Sequence, residues 1–214
     1  MERWVLLRKG ADFEAIGKKY QISPRLACLI RNRDVIGEEA IERYLNGTIS
    51  DLYDGMLMKD ADKAIDILKE KIAEEKKIRV IGDYDIDGVN ATYILMEGLE
   101  RLGAYVDSDI PDRIGDGYGL NRHLIDRAYD AGIDTIITCD NGIAAANEIA
   151  YGKELGMTII VTDHHEIPFD EIDGEKIYRL PPADAVIDPK QKDCVYPFKG
   201  LCGAAGGVIK KGGG

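Results

Sequence analysis

The sequence predicts an α/β protein: a three-layer domain with a mainly parallel β-sheet flanked by helices, preceded by a small helical N-terminal segment. Two observations predict this class. From residue 59 onward, helical stretches alternate with short apolar runs, the pattern that right-handed crossovers of a parallel sheet produce. A glycine also stands where each of three helical stretches must stop before the next strand, at Gly103, Gly132 and Gly156.

Residues 1–58 are predicted to form a helical lead-in. Residues 12–20 and 24–32 have helical patterns, and Ser23 precedes the second with Pro24 in its first turn, a typical helix start. A further helix is predicted after residue 60 from apolar residues at helical spacing. The lysine-rich residues 74–77 are interpreted as its last turn.

Five apolar runs are predicted to be strands: residues 78–81, 105–109, 135–139, 158–162 and 185–187. The helices between them are predicted at about 89–102, 121–131 and 144–155. We expect residues 59–206 to form one α/β domain. Residues 207–214 are rich in glycine and lysine, and we expect a flexible tail or an artificial end there.

Composition excludes several classes of protein. With 214 residues, of which 45% are hydrophobic and 31% charged, the chain can bury a core, so disorder is not expected. No apolar run reaches the ~18 residues of a membrane span, and the basic start lacks a signal sequence, so we expect a cytoplasmic protein that uses no membrane. The four cysteines are far apart and form no CxxC pair, which indicates reduced thiols rather than zinc knuckles or disulfides.

The charge of the chain is unevenly distributed. The net charge of −11 disfavours a protein that coats nucleic acid through net charge alone. Residues 1–36 and 190–214 each carry four more basic than acidic side chains, which leaves −19 on residues 37–189. A function should account for this concentration of acid.

Acidic residues follow nearly every predicted strand. Ligands bind beyond the carboxyl ends of the strands in open parallel sheets. The residues at these ends are Asp83, Asp85 and Asp87 in GDYDIDG, Asp140 in CDNG, the run Asp163, His164, His165 and Glu166, and Asp188. A single aspartate after a strand is most often a helix cap, and Asp83 or Asp87 can cap the helix that starts near Val89. A metal site explains all these residues together, whereas capping explains them only one by one.

Clustered carboxylates repel one another, and a divalent cation removes that cost. A ligand set of carboxylates with one or two imidazoles suits Mn²⁺ or Mg²⁺, and two ions about 3.5–4 Å apart can share one carboxylate. Such a pair hydrolyses phosphate esters. Gly88 lets the backbone approach the ligand or turn into the helix, and Arg113 in PDRIGDGYGL is the candidate phosphate ligand, unless it is an exposed loop arginine.

GDYDIDG (82–88), CDNG (139–142) and TDHH (162–165) resemble, in this order, the first three motifs of the DHH phosphoesterase superfamily. Within it the chain is similar to the RecJ family of single-strand-specific 5′ to 3′ exonucleases. GDYDIDG, GYGL (117–120) and CVYPFKGLCGAAG (194–206) carry this finer resemblance.

The resemblance implies a site of two Mn²⁺ or Mg²⁺ ions. It assigns Asp85 and Asp87 as metal ligands, Asp140 as the bridge between the ions, His164 as a further ligand and Asp83 as support for the second ion. These assignments are expectations for the structure to test.

The resemblance also implies the catalytic and substrate-binding residues. His165 is expected to face the scissile phosphate and act with Asp140 in catalysis, while Asp163 orients the histidines. Arg113 and Asn141 are expected to contact the phosphate of a single-stranded DNA substrate.

Two features of the family have no counterpart here: a fourth metal-binding motif and the C-terminal domains. The chain is therefore interpreted as the catalytic core of a larger enzyme of recombination and repair, which can be inactive alone. Two alternatives stay open. One is a non-catalytic RecJ-like module of a replication or repair complex, and the other is a phosphodiesterase of short oligonucleotides or cyclic dinucleotides.

Overall fold

The structure is a computed structural model that describes residues 9–111 and 119–207. The chain divides between Leu52 and Tyr53 into two units. The first unit is helical, as predicted. Its helices are α1 (Phe13–Tyr20), α2 (Pro24–Asn32) and α3 (Glu38–Asn46), followed by a 3₁₀ turn at Ile49–Asp51.

Capping side chains begin the first two helices. The Asp12 carboxylate accepts a hydrogen bond from the Ala15 N–H at 2.9 Å. The Ser23 hydroxyl accepts from the Leu26 N–H at 3.2 Å, and Pro24 is the first residue of α2. The predicted cap and the proline in the first turn are therefore confirmed. Proline fits this position because the N–H that it lacks would have no partner within the helix.

The second unit is built on a parallel sheet. After a 3₁₀ turn at Gly55–Leu57 come α4 (Ala61–Ala73), β1 (Lys77–Ile81), α5 (Ile86–Arg101), β2 (Tyr105–Asp109), α6 (Arg122–Asp130), β3 (Thr135–Cys139), α7 (Ala146–Glu154) and β4 (Thr158–Thr162). A hairpin of β5 (Phe169–Ile172) and β6 (Glu175–Tyr178) precedes β7 (Ala185–Ile187) and α8 (Gly203–Gly207). The sheet order is β2-β1-β3-β4-β7, and all these pairs are parallel.

Helices cover both faces of the sheet, which gives the predicted three layers. Every residue of the central strand β3 is buried. Ile137 packs in one cluster with side chains of α4 and α5, and its neighbour Ile136 packs in another with side chains of α6 and α7. Successive side chains of a strand point to opposite faces, so a strand covered on both faces reads as an unbroken apolar run.

Three details differ from the predictions. Helix α4 ends at Ala73, and Lys77 begins β1, so the lysine-rich residues 74–77 are not a last turn. The Lys77 carbonyl accepts from the Asp134 N–H at 3.0 Å, which draws this segment into the sheet. The hairpin was not predicted, because all its residues are exposed and no burial pattern marks it. Helix α8 forms in a glycine-rich segment that has no apolar period.

The glycines predicted to end helices do so. Gly103, Gly132 and Gly156 have φ angles of 82°, 70° and 83°. A side chain is strained in this left-handed region, so glycine is favoured there. None of the helices in the described part of the chain has the length and hydrophobicity needed to cross a lipid bilayer.

Two glycine substitutions should change stability in opposite directions. A Cβ atom at Gly132 or at Gly98, inside α5, would meet no atom within 4 Å, so the two positions differ mainly in backbone angle. Gly132→Ala should lower the free energy of unfolding by about 1 kcal/mol through left-handed strain. Gly98→Ala should raise it by up to about 1 kcal/mol through helix propensity. Urea unfolding measures both, and a stabilising Gly132→Ala would contradict the assignment.

Candidate metal centre

The carboxyl ends of β1, β3 and β4 meet at one edge of the sheet. The parallel register pairs Ile81 with Thr138 and Cys139 with Thr162. The motifs that follow these strands are therefore brought side by side, as the sequence predicts. This edge is where an open parallel sheet binds ligands.

The GDYDIDG turn places one aspartate as a helix cap. Asp85 is the N-cap of α5, and its Oδ1 accepts from the N–H groups of Asp87 and Gly88 at 2.9 and 3.0 Å. The interpretation of Asp83 or Asp87 as the cap is wrong. A Cβ at Gly88 would lie 2.5–2.7 Å from backbone atoms of Asp83, so the turn closes only around a glycine.

Asp140 sits on a strained turn in the interior. Its side chain is 2% exposed, and its φ of 61° lies in the left-handed region. Aspartate tolerates this region better than most residues, and strain of this kind concentrates at functional sites. The next glycine, Gly142, has a φ of 106°. The turn brings the Asp140 carboxylate to within 2.8 Å of His164 Nε2, at the end of β4.

Asn141 links the ends of two strands. Its Nδ2 donates to the carbonyls of Ile81 and Cys139 at 3.2 and 3.0 Å, which ties β1 to β3. Its buried Oδ1 has no hydrogen-bond partner in the described part of the chain. A phosphate contact by Asn141 stays a prediction.

Asp163 holds the first turn of the DHH motif. Its Oδ1 accepts from the N–H groups of His164 and His165 at 2.7 and 3.1 Å and lies 2.8 Å from His165 Nδ1. Its Oδ2 accepts from the Ile143 N–H at 2.9 Å, which links this turn to the segment after Asp140. Burial raises the pKa of Asp163, but these hydrogen bonds outweigh it and the pKa lies below the ordinary value.

His165 is exposed and its ring contacts Asp163. The hydrogen bond that the ring donates to the Asp163 carboxylate raises the pKa of His165 to about 9, against the opposing effect of burial. Nδ1 contacts Asp163, which leaves Nε2 as the nitrogen not engaged by this carboxylate. In the absence of metal the ring is therefore an imidazolium near neutral pH.

His164 contacts the carboxylates of Asp140 and Asp87. His164 Nε2 lies 2.8 Å from Asp140 Oδ1 and 3.6 Å from Asp87 Oδ2. Burial, followed by the charge of Asp87, raises the pKa of Asp140 to about 6. Asp140 Oδ1 is nevertheless buried without an aligned hydrogen bond among the described residues. Such an oxygen suits a cation ligand.

Asp87 is held by a segment whose role the sequence analysis did not identify. Its two oxygens accept from the N–H groups of Gly203 and Ala204 at 2.6 and 2.8 Å, at the start of α8. Burial raises the pKa of Asp87, but the hydrogen bonds lower it by a larger amount. The pKa therefore lies below the ordinary value, and the carboxylate stays ionised. A Cβ at Gly203 would lie 2.6 Å from Asp140 Oδ1. The glycine-rich CGAAG stretch was the available signal for this close approach.

The residues fit a pair of divalent ions. Among the described residues, ligand atoms of Asp83, Asp85 and Asp140 lie within 4.8 Å of one another. Those of Asp140, His164 and His165 do the same, so the two groups share Asp140. The buried Asp140 Oδ1, which accepts no aligned hydrogen bond among the described residues, and the excess of carboxylates favour Mn²⁺ or Mg²⁺. Asp87 borders the second group through His164, and Arg113 lies outside the described residues.

The pKa of His165 offers a direct test of this electrostatic arrangement. Without added metal, His165 should titrate near 9, and Asp163→Asn should bring the value down toward about 6.5 by removing the charged partner. The raised pKa belongs to the folded state, so the pair should stabilise the protein below about pH 6.5. That stabilisation should be lost as the pH rises through about 9.

NMR titration of the ring protons measures this pKa, and the chain has only three histidines to assign. Asp126→Asn is the control, because Asp126 accepts a hydrogen bond from Tyr151 at 2.7 Å and belongs to neither ligand group. A wild-type His165 that titrates near 6.5 would contradict the arrangement.

Curated relatives share most of this chain. It is 39% identical over 202 residues to the single-stranded-DNA-specific exonuclease RecJ of Bacillus subtilis, covering 94% of this chain and 25% of that protein. The RecJ of Escherichia coli is 32% identical over 204 residues, covering 95% of this chain and 33% of that protein. The chain thus spans about a quarter to a third of the length of these relatives.

Solved structures of RecJ proteins are similar to this chain. Exonuclease RecJ bound to manganese is 32% identical, with a TM-score of 0.60, over 71% of this chain and 36% of that one. RecJ of Thermus thermophilus in complex with Mn²⁺ is 26% identical, with a TM-score of 0.65, over 97% of this chain and 28% of that one. The family model described as the DHH family, N-terminal domain, matches residues 77–211. This chain therefore belongs to the DHH family.

Proposed function

We propose that this chain is the metal-dependent phosphodiesterase domain of an exonuclease that removes nucleotides from the 5′ end of single-stranded DNA in recombination and repair. The observation that carries the proposal is the sharing of Asp140 by two groups of ligand atoms. Two ions that share a carboxylate are typical of enzymes that cleave phosphate esters. The names of the relatives support single-stranded DNA as the substrate.

The ligands divide into two sets in this proposal. Asp83, Asp85 and Asp140 would hold one ion, and Asp140 with His164 would hold the other beside Asp87. Bound ions would lower the pKa of a water molecule and balance negative charge on the reacting phosphate. The Mn²⁺ in solved RecJ structures supports this choice of metal.

The protein's own contribution is proton control at His165. Asp163 keeps the ring charged and fixes its orientation through Nδ1. Nε2–H can then donate to a phosphate oxygen and neutralise charge there, or pass its proton to the leaving oxygen. The buried Asp163 makes four hydrogen-bonding contacts, so it is a rigid support for that ring.

Several finer points belong to the proposal. The 5′ to 3′ polarity and the role in repair rest on the resemblance to RecJ. A phosphate contact by Arg113, the boundaries at residues 58 and 206 and a cytoplasmic location stay predictions. Because the chain covers about a quarter to a third of its relatives, the activity of a whole RecJ-like enzyme is proposed here only for a protein that contains it.

Hydrolysis of a labelled strand tests the proposal. With MnCl₂, a RecJ-like protein that contains this chain should release mononucleotides from the 5′ end of a single-stranded 30-mer, and a chelator should stop the reaction. Asp140→Asn should lower kcat/KM by about three orders of magnitude, since it removes a ligand common to both ions. Asp126→Asn is the matched carboxylate control and should retain activity.

Other outcomes separate the alternatives. Cleavage that survives Asp140→Asn or chelation would overturn the proposal. Strand binding without cleavage would indicate a non-catalytic module. Turnover confined to dinucleotides or cyclic dinucleotides would indicate a small-substrate phosphodiesterase.

A further inference from the structure

The turn after β7 presents a lysine at the same edge of the sheet. Asp188 is completely buried, and its Oδ1 accepts from the Lys190 N–H at 2.7 Å. The Gln191 N–H donates to the Asp188 carbonyl at 3.3 Å, which closes the turn. Among the described residues, Asp188 joins neither group of metal ligands. This carboxylate, which follows its strand as the others do, instead shapes the turn that carries Lys190.

Lys190 lies beside the DHH motif. β7 pairs with β4, with Thr162 opposite Ile187, so the segments after the two strands are neighbours. The Lys190 ammonium lies 2.9 Å from Oε1 of Glu166, the residue that follows His165. Its positive charge also acts on His165, lowering the pKa of that ring against the larger effect of Asp163.

The partner of Lys190 is a weak competitor for its charge. The Glu166 side chain is 87% exposed, whereas that of Lys190 is 27% exposed. Ion pairs with such exposed carboxylates contribute little to stability, because water screens them and the side chains lose freedom. A phosphate oxygen can therefore replace Glu166 at small cost.

A polyanion needs added positive charge at this edge. Seven acidic residues follow strands of the sheet at this end: Asp83, Asp85, Asp87, Asp140, Asp163, Glu166 and Asp188. Apart from Glu166, which pairs with Lys190, six carboxylates stand against the four positive charges of two divalent ions. A strand of nucleic acid would be repelled unless a cation contacts its phosphates.

We propose that Lys190 is a phosphate contact of this site, with an ammonium that leaves Glu166 for a phosphodiester oxygen next to the phosphate facing His165. The inference rests on the proposed function and deepens it by naming a residue that binds the substrate backbone. A lysine acts as a point charge and reads no base, so the contact is independent of sequence.

Binding of a strand to the 214-residue chain tests this inference apart from catalysis. The probe is a fluorescein-labelled 12-mer of oligo-dT with phosphorothioate linkages, titrated in MnCl₂ by fluorescence anisotropy. Lys190→Met should weaken binding about tenfold at low salt and reduce the slope of log K against log salt by about 0.7. Lys190→Arg should restore most of the affinity. Glu166→Gln should tighten binding about threefold, because it removes the competitor.

Lys192→Met is the matched control, since Lys192 is exposed two residues further on. It should leave the affinity and the salt slope unchanged. Circular dichroism shows whether each variant is folded. If Lys190→Met and Glu166→Gln change binding in the same direction, the pair is structural and the inference is overturned. Absence of strand binding by the wild-type chain overturns it as well.

Hydrolysis of the unmodified strand is followed in parallel with a RecJ-like protein that contains this chain. Binding that obeys these expectations without hydrolysis refutes the proposed function while the phosphate contact stands. Hydrolysis by the wild-type protein, together with a Lys190→Met variant that binds the strand as tightly as the wild type, refutes the contact alone.

Discussion

Repulsion among carboxylates at one edge of the sheet is the constraint on which this molecule depends. Backbone N–H groups relieve part of it: Asp85, Asp87 and Asp163 each accept two or more of them. Asp140 receives no such bond among the described residues, and burial raises its pKa to about 6. The fold therefore stabilises these three carboxylates through backbone N–H groups, whereas Asp140, which both ligand groups share, is left for a cation.

Structural and chemical roles coincide in the same side chains. Asp85 caps α5 through one oxygen and still contributes a ligand atom to a group with Asp83 and Asp140. Asp163 closes the DHH turn and also sets the proton on His165. Capping and metal binding were weighed as alternatives for the GDYDIDG aspartates, but a carboxylate has enough lone pairs for both. Fixing a ligand by a cap also reduces the entropy lost when an ion binds.

The sequence predicted best what depends on burial. The bounds of β3, β4 and β7 follow from apolar runs, because the side chains of these strands are buried and leave no alternation of apolar and polar residues. Contacts that leave no local pattern in the sequence were not predicted. The approach of Gly203 to Asp140 joins residues far apart in the chain, and the Asn141 amide turns inward because two carbonyls need donors. The β5–β6 hairpin is exposed throughout and leaves no hydrophobic signal.

Anomalous scattering at the manganese edge, from a crystal soaked in MnCl₂, tests the central claim most directly. The account predicts two peaks about 3.5–4 Å apart with the Asp140 carboxylate between them, one beside Asp83 and Asp85 and the other beside His164. Saturating Mn²⁺ that leaves this edge empty, or binds only away from Asp140, would contradict it.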